Sequence, residues 1–268
     1  MNGVRRELVA LPVRALRRAT FWWSVGLASM VALTMAFWPA FKNAPFVDEA
    51  MKMIPPALAQ AFGIQDFLSP EGYLRGNLYA ILVPLLLVFA AVMATNGQTA
   101  AEESAGRLEL YLAQPVDRRL VFLGRGVAVV ISVAVICVAT LVAQVISNAV
   151  VDVRVDTGRL AATIALSGLL GLLHGALGFA VAGFRARPSL VLATGTVVAI
   201  AGYLVSVLFA LSPDLAEWRH LSPWDWALGG NPLLQAAEAW RYLAMIVPTV
   251  ALAALGIWAF GRRDVAAA

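Results

Sequence analysis

The residues able to do chemistry are few and unevenly placed. Residues 101–119 read AEESAGRLELYLAQPVDRR and carry seven charges: Glu102, Glu103, Arg107, Glu109, Asp117, Arg118 and Arg119. ATP hydrolysis needs a P-loop lysine, but the only lysines are Lys42 and Lys52, and no GxxxxGK[ST] occurs. The sequence also lacks HExxH, CxxC, Gly-x-Ser-x-Gly and an EF-hand loop. His174 and His220 are far apart, and two remote histidines do not make a metal site. Cys137 is the only cysteine, so neither a disulfide nor a thiolate cluster can form within the chain. No catalytic residue, metal or cofactor is therefore expected here. ATP-driven work would place ATP and Mg on a partner chain.

The elements that must position those charges are overwhelmingly apolar. The chain is 61% hydrophobic and 13% charged, with mean hydropathy +0.80, whereas soluble domains are about half apolar and about a quarter charged. Six runs hold no charge: 19–41, 76–101, 126–151, 160–184, 188–213 and 242–261. A hydrocarbon layer about 30 Å thick needs about 20 helical residues, so each run can cross it. The expected fold is an all-α polytopic membrane protein. Its spans are predicted at 19–41, 76–97, 119–150, 160–184, 188–212 and 241–261, within one domain over 1–268. Barrel strands would instead alternate apolar and polar over about ten residues.

Orientation follows from the basic residues near the span ends. With the N-terminus inside, Arg5, Arg6, Arg14, Arg17, Arg18, Arg107, Arg118, Arg119, Arg125, Arg185, Arg187, Arg262 and Arg263 are inner. Lys42, Lys52, Arg75, Arg154, Arg159, Arg219 and Arg241 are outer. Both termini are expected to be cytoplasmic. The net charge of +4 then reflects orientation in the membrane and not nucleic-acid binding. Charge-free spans also argue against an ion-coupled carrier acting alone, which usually keeps an intramembrane acid or base.

Several shorter features are expected to shape the bundle. Residues 1–18 place Val4, Leu8, Leu11 and Ala15 at helical spacing among arginines, which predicts an interfacial helix with Arg14, Arg17 and Arg18 as anchors. The piece 53–65, broken by Pro55-Pro56, predicts a short helix on the outer surface. Segment 213–240 holds Trp218, Trp224, Trp226 and Trp240, and indole prefers the headgroup level. Gly168, Gly171, Gly175 and Gly178 form one helical stripe, suited to close helix packing within the chain or between two copies. His174 reads as a neutral packing residue, with a proton or substrate contact as the alternative. Thr34, Asn77, Thr194 and Ser206 are candidate pathway residues, although span hydroxyls mostly bond back to their own helix.

The charged segment itself predicts a helix over 98–114, with Glu103 and Arg107 an i,i+4 pair and Leu108, Tyr111 and Leu112 grouped at helical spacing. Gln114-Pro115 should end it, Asp117 should cap the next helix, and Arg118 and Arg119 should anchor that helix at the inner surface. On these residues alone, a solvated loop helix and a helix that docks on a basic groove both remain open.

The pattern Ala101-Glu102-Glu103-x-x-Gly106-Arg107-Leu108-Glu109-x-Tyr111-Leu112-x-x-Pro115-x-x-Arg118 resembles the cytoplasmic segment EExxGTxExLLxxPxxR of ABC-2 type permeases. Arg107 stands where that pattern has Thr, and Tyr111 where it has Leu. The Leu221-Ser222-Pro223-Trp224 to Pro232-Leu233 stretch, as an outer re-entrant loop, and the terminal Phe260-x-x-Arg263-Asp264 are similar to the same family, and Phe62-Gly63 with Pro70-Glu71-Gly72-Tyr73-Leu74 resembles its drug-export members. The resemblance covers nearly the whole chain. It implies a transport subunit, not an enzyme, in the plasma (inner) membrane. Two cytoplasmic ABC ATPase subunits would couple through Glu102, Glu103, Gly106, Arg107, Leu108, Glu109 and Leu112. A second permease chain, identical or paralogous, and membrane lipid complete the implied partners. Drugs, antibiotics or lipids are the implied cargo. A membrane scaffold or sensor and a stand-alone channel are the rival classes.

Overall fold

The computed structural model describes residues 2–42, 53–55, 58, 68–107 and 117–263, with side chains from residue 7 onward. Every regular element among them is helical. Helix α1 is Asn2–Lys42, α2 is Pro70–Leu74, α3 is Leu82–Gln98 and α4 is Ala100–Ser104. Then follow α5 (Arg118–Val150), α6 (Thr157–Phe184), α7 (Pro188–Leu208), α8 (Pro223–Leu228) and α9 (Ala239–Arg262). Six helical stretches are long and apolar enough to cross a membrane: Glu7–Lys42, Pro70–Ser104, Arg118–Val150, Thr157–Phe184, Pro188–Leu211 and Ala239–Arg262. The second starts six residues before the expected 76 and includes a π-turn, Arg75–Tyr79.

The fourth span, α6, lies at the centre. In its most apolar window 72% of residues are buried, against 22% in the first, fifth and sixth spans. Helices α3, α7 and α9 pack on it, and α5 touches it as well. In lipid, apolar surface alone does not drive helices together, so close backbone approach must. The glycine stripe provides it within the chain. A Cβ on Gly171 would lie 2.7 Å from the Leu87 carbonyl oxygen of α3, and one on Gly168 would lie 2.6 Å from Cys137 Sγ of α5. Gly175 faces Thr95 and Ala91 of α3, and Gly178 faces Val191 of α7. Two glycines outside the stripe come closer still: Gly183 of α6 meets the carbonyl oxygen of Gly256 in α9.

Residues 2–18 run into the first span without a break. Helix α1 is unbroken over 41 residues, roughly 60 Å, with Pro12 and Pro39 inside it. It runs parallel to α5, with Leu8 beside Gly124 and Thr20 Oγ1 2.6 Å from Ser132 Oγ. One face of α1 near its start packs on the bundle. Leu16 is buried and Leu8 and Val13 are partly buried, whereas Leu11 and Ala15 are exposed. Side chains of residues 2–6, including Val4, lie outside the description. Pro12 has no N–H to give the Leu8 carbonyl, and Gly124 packs on that same oxygen. The tertiary partner therefore selects the face that α1 buries.

The third and fourth spans are capped as their sequences dictate. Asp117 Oδ1 accepts from Arg119 N at 2.9 Å to start α5, and Asp156 Oδ1 accepts from Arg159 N at 2.7 Å to start α6. Segment 213–240 folds back along α7. Trp224 Nε1 donates to the Ala199 carbonyl at 2.9 Å and Ser222 Oγ to the Gly202 carbonyl at 2.6 Å. Those carbonyls are six and nine residues before the end of α7, roughly 9–13 Å along its axis. Arg241 holds the turn in place, donating to the carbonyls of Asp225 and Trp226 at 3.0 and 3.1 Å. Most of the predicted 53–65 helix lies outside the described residues.

Candidate functional site: the acidic turn after the second span

The acidic pair sits in a turn against the bundle, not in a free-standing helix. Helix α3 ends at Gln98, the chain bends at Thr99, and α4 covers only Ala100–Ser104. Gly106, at φ +70°, then terminates α4, and its N–H bonds to the Glu103 carbonyl at 2.9 Å. A continuous helix over 98–114 is thus not formed among the described residues. The signal was legible: a glycine two residues past Ser104 is a helix stop as well as a family position. Leu108, Glu109, Tyr111, Leu112 and Pro115 lie outside the described residues. Gly106→Ala is expected to lower stability by about 1 kcal/mol, because a Cβ disfavours this left-handed backbone. Gly97→Ala, in open helical space, should be neutral or mildly stabilising, and thermal unfolding of the two purified variants compares them.

Both carboxylates are engaged with arginines of this chain. Glu102 Oε1 lies 2.8 Å from Arg107 Nη2, and its Oε2 lies 3.8 Å from Arg125 Nη2. Glu103 Oε2 accepts from Arg263 Nη2 at 2.5 Å. The expected Glu103–Arg107 pair is replaced by Glu102–Arg107, because the bend at Gly106 swings Arg107 back over Glu102. Arg125 corrects a larger expectation. It stands in the second turn of α5, 4% exposed, so the third span is not charge-free in its helix. Its guanidinium also donates to the Gln98 carbonyl, which the bend at Thr99 leaves available. A buried charge persists only with such partners.

The turn gathers five spans at one point. Ala100 is fully buried among Phe122 of α5, Phe179 of α6, Val191 of α7 and Phe260 of α9. Phe122 stacks on Phe260 at 4.4 Å and meets Phe179 at 4.1 Å. Arg263 lies 5.6 Å from the Phe260 ring. Glu103 is thus joined through Arg263 and Phe260 to side chains of spans three, four and six. Gln98 Nε2 reaches the Pro12 carbonyl of α1 at 3.5 Å, which adds the first span.

The other expected positions scatter. Arg14, Arg17, Arg18, Arg118 and Arg119 are exposed. Thr34 Oγ1 bonds to Met30, Asn77 Nδ2 to Tyr73 and Thr194 Oγ1 to Leu190, each on its own helix. Ser206 is part-buried on α7. Tyr73 Oη donates to the Thr34 carbonyl at 2.9 Å, which links Thr34 with Asn77, but Thr194 and Ser206 stand on α7, which packs elsewhere. His174 is enclosed, with its Nδ1 2.8 Å from the Leu170 carbonyl. A buried chain runs from Tyr79 Oη to Gln144 Oε1 at 2.9 Å and from Gln144 Nε2 to Asn148 Oδ1 at 2.7 Å. Among the described residues, no three His, Cys, Asp or Glu side chains gather to hold a metal ion.

Six apolar spans around a buried fourth, with a charged turn locked to their ends, define a multi-pass helical membrane protein. Residues 6–261 match the family described as multidrug efflux system permease Rv1217c, C-terminal domain, and the chain belongs to that family. No curated protein matches it at the significance required.

Proposed function

We propose that this chain is the membrane-spanning subunit of an ATP-binding cassette exporter for hydrophobic or amphipathic molecules, with ATP and Mg bound by a separate cytoplasmic ATPase. The observation that carries the proposal is the acidic turn at Glu102 and Glu103, tied by Arg125 and Arg263 to the third and sixth spans. Family membership supports a permease of an efflux system, and the acidic pattern supports the ATPase partner. Two ATPase copies would act on two permease units, identical or paralogous, in the plasma membrane with both termini inside. ATP-driven closure of the ATPases would press on the turn after span two. The packed aromatics beneath it would transmit that movement as a rigid-body repacking of the spans. Drugs, antibiotics or lipids suit a bundle whose spans offer almost no charged contact.

The experiment is co-purification of the tagged chain from its native cells with identification of any bound P-loop ATPase, followed by dye efflux from cells expressing both chains. A stable complex and ATP-dependent efflux are expected. In the same cells Ala105→Cys, in a Cys137→Ser background, should resist an impermeant maleimide and react only in inverted vesicles. A chain that binds no ATPase would be a scaffold or channel instead, and labelling from outside intact cells would reverse the orientation.

A further inference from the structure

A recess opens between α5, α6 and α9, sharing Phe179 with the stack beneath the acidic turn. Its volume is about 220 Å³. Leu123, Val130, Phe179, Ala253 and Ile257 are among its walls, and Thr95 and Thr249 supply the only side-chain hydroxyls. On α5 the lining positions 123, 126, 127 and 130 share one face, and Arg119 precedes them on that face by one turn. On α9 the lining positions 249, 253 and 257 continue to Gly261 by the same four-residue step. A Cβ on Gly261 would lie 2.6 Å from Arg119 Nε, so that glycine lets the arginine lie across the end of α9. Arg119 is exposed and its guanidinium makes no ion pair among the described residues. Arg118 and Arg262 add positive charge at the same helix ends.

We propose that this recess holds one acyl chain of an anionic phospholipid, with the phosphate bound by Arg119. The recess is apolar, and it begins about 6 Å above the arginine, the rise of four helical residues. That is the order of the distance from a phosphate to the start of its acyl chains, since headgroups add about 5–8 Å to each side of the hydrocarbon. A second helix would need a groove along the whole span, and a soluble ligand would need polar groups at the closed end. The cation at the mouth selects an anionic headgroup over a zwitterionic one.

The test uses the full-length protein in nanodiscs with phosphatidylglycerol or phosphatidylcholine spin-labelled in the middle of an acyl chain. An immobilised phosphatidylglycerol fraction is expected, with little for phosphatidylcholine. Arg119→Gln should weaken retention about fivefold, the effect of one basic side chain near anionic lipid, and Arg119→Lys should restore most of it. Ala253→Phe should displace the chain by filling the recess while leaving Arg119 in place. Val130→Trp fills it from α5 should the first variant fold poorly, and a monodisperse elution profile checks each. Equal immobilisation of both lipids overturns the proposal. So does a loss on Arg119→Gln that neither filling variant reproduces, because the arginine then binds headgroups without the recess. The outcome is independent of whether an ATPase binds the acidic turn.

Discussion

Glu103→Arg should abolish efflux, and adding Arg263→Glu should restore the folded bundle. The wild-type pair is 2.5 Å apart and each side chain is about one-fifth exposed. Reversal puts two guanidiniums in that space. At an effective dielectric of about 20, like charges 4 Å apart repel by about 4 kcal/mol before relaxation. Exposure lowers that figure, but the turn can relieve the rest only by moving α4 off Phe260. Glu103→Gln keeps the shape and an acceptor, so about 1 kcal/mol is expected from it. Dye efflux and thermal unfolding, measured on the same four proteins, separate two roles. A swap variant that recovers both makes Glu103 a link between the turn and the sixth span. A swap variant that recovers stability while efflux stays lost makes the carboxylate a contact for the ATPase as well. Wild-type efflux from Glu103→Arg alone would remove the acidic turn from the coupling route.

Gly183→Ala should deplete folded protein more than any other single methyl addition in the sixth-span seam. Its Cβ would sit against the Gly256 carbonyl oxygen, and on the other side a Cβ on Gly256 would lie 2.9 Å from the Phe179 carbonyl oxygen. Both obstacles are backbone, so no rotamer change relieves them. Overpacking of this kind typically costs 1–3 kcal/mol and occasionally more. The seam is also the wall of the stack that receives Arg263, so a variant that survives should transport poorly. Gly26→Ala, with nothing within 4 Å, is the matched control and should behave as wild type. Monodisperse yield from detergent and the unfolding temperature report the difference. If Gly183→Ala matched Gly26→Ala on both measures, the α6–α9 contact would be looser than its geometry.

The spans and the cap at Asp117 were written in the sequence, because each is a local matter; the stop at Gly106 is equally local, although helical spacing alone carries that helix on to Gln114. Twenty apolar residues must be helical in lipid whatever surrounds them, an Asp before a helix caps it, and a glycine past Ser104 can take φ +70°. The glycine stripe also announced a close contact, since four small residues on one face have that use in a membrane. The partners of those groups were not legible. Glu103 pairs with Arg263, 160 residues away, and Arg125 is buried by a bend at Thr99 that no local rule places. Position relative to a span end made Arg125 and Arg263 look like topology markers, yet packing made them the ligands of the acidic pair. Likewise α1 buries Leu8, Val13 and Leu16 because α5 lies beside it, not because its own periodicity chose that face. Sequence alone therefore determined that six segments are long and apolar enough to cross a membrane as helices. Tertiary structure decided what the charged turn grips, because ion pairs and glycine contacts between spans depend on distances in space that sequence separation does not encode.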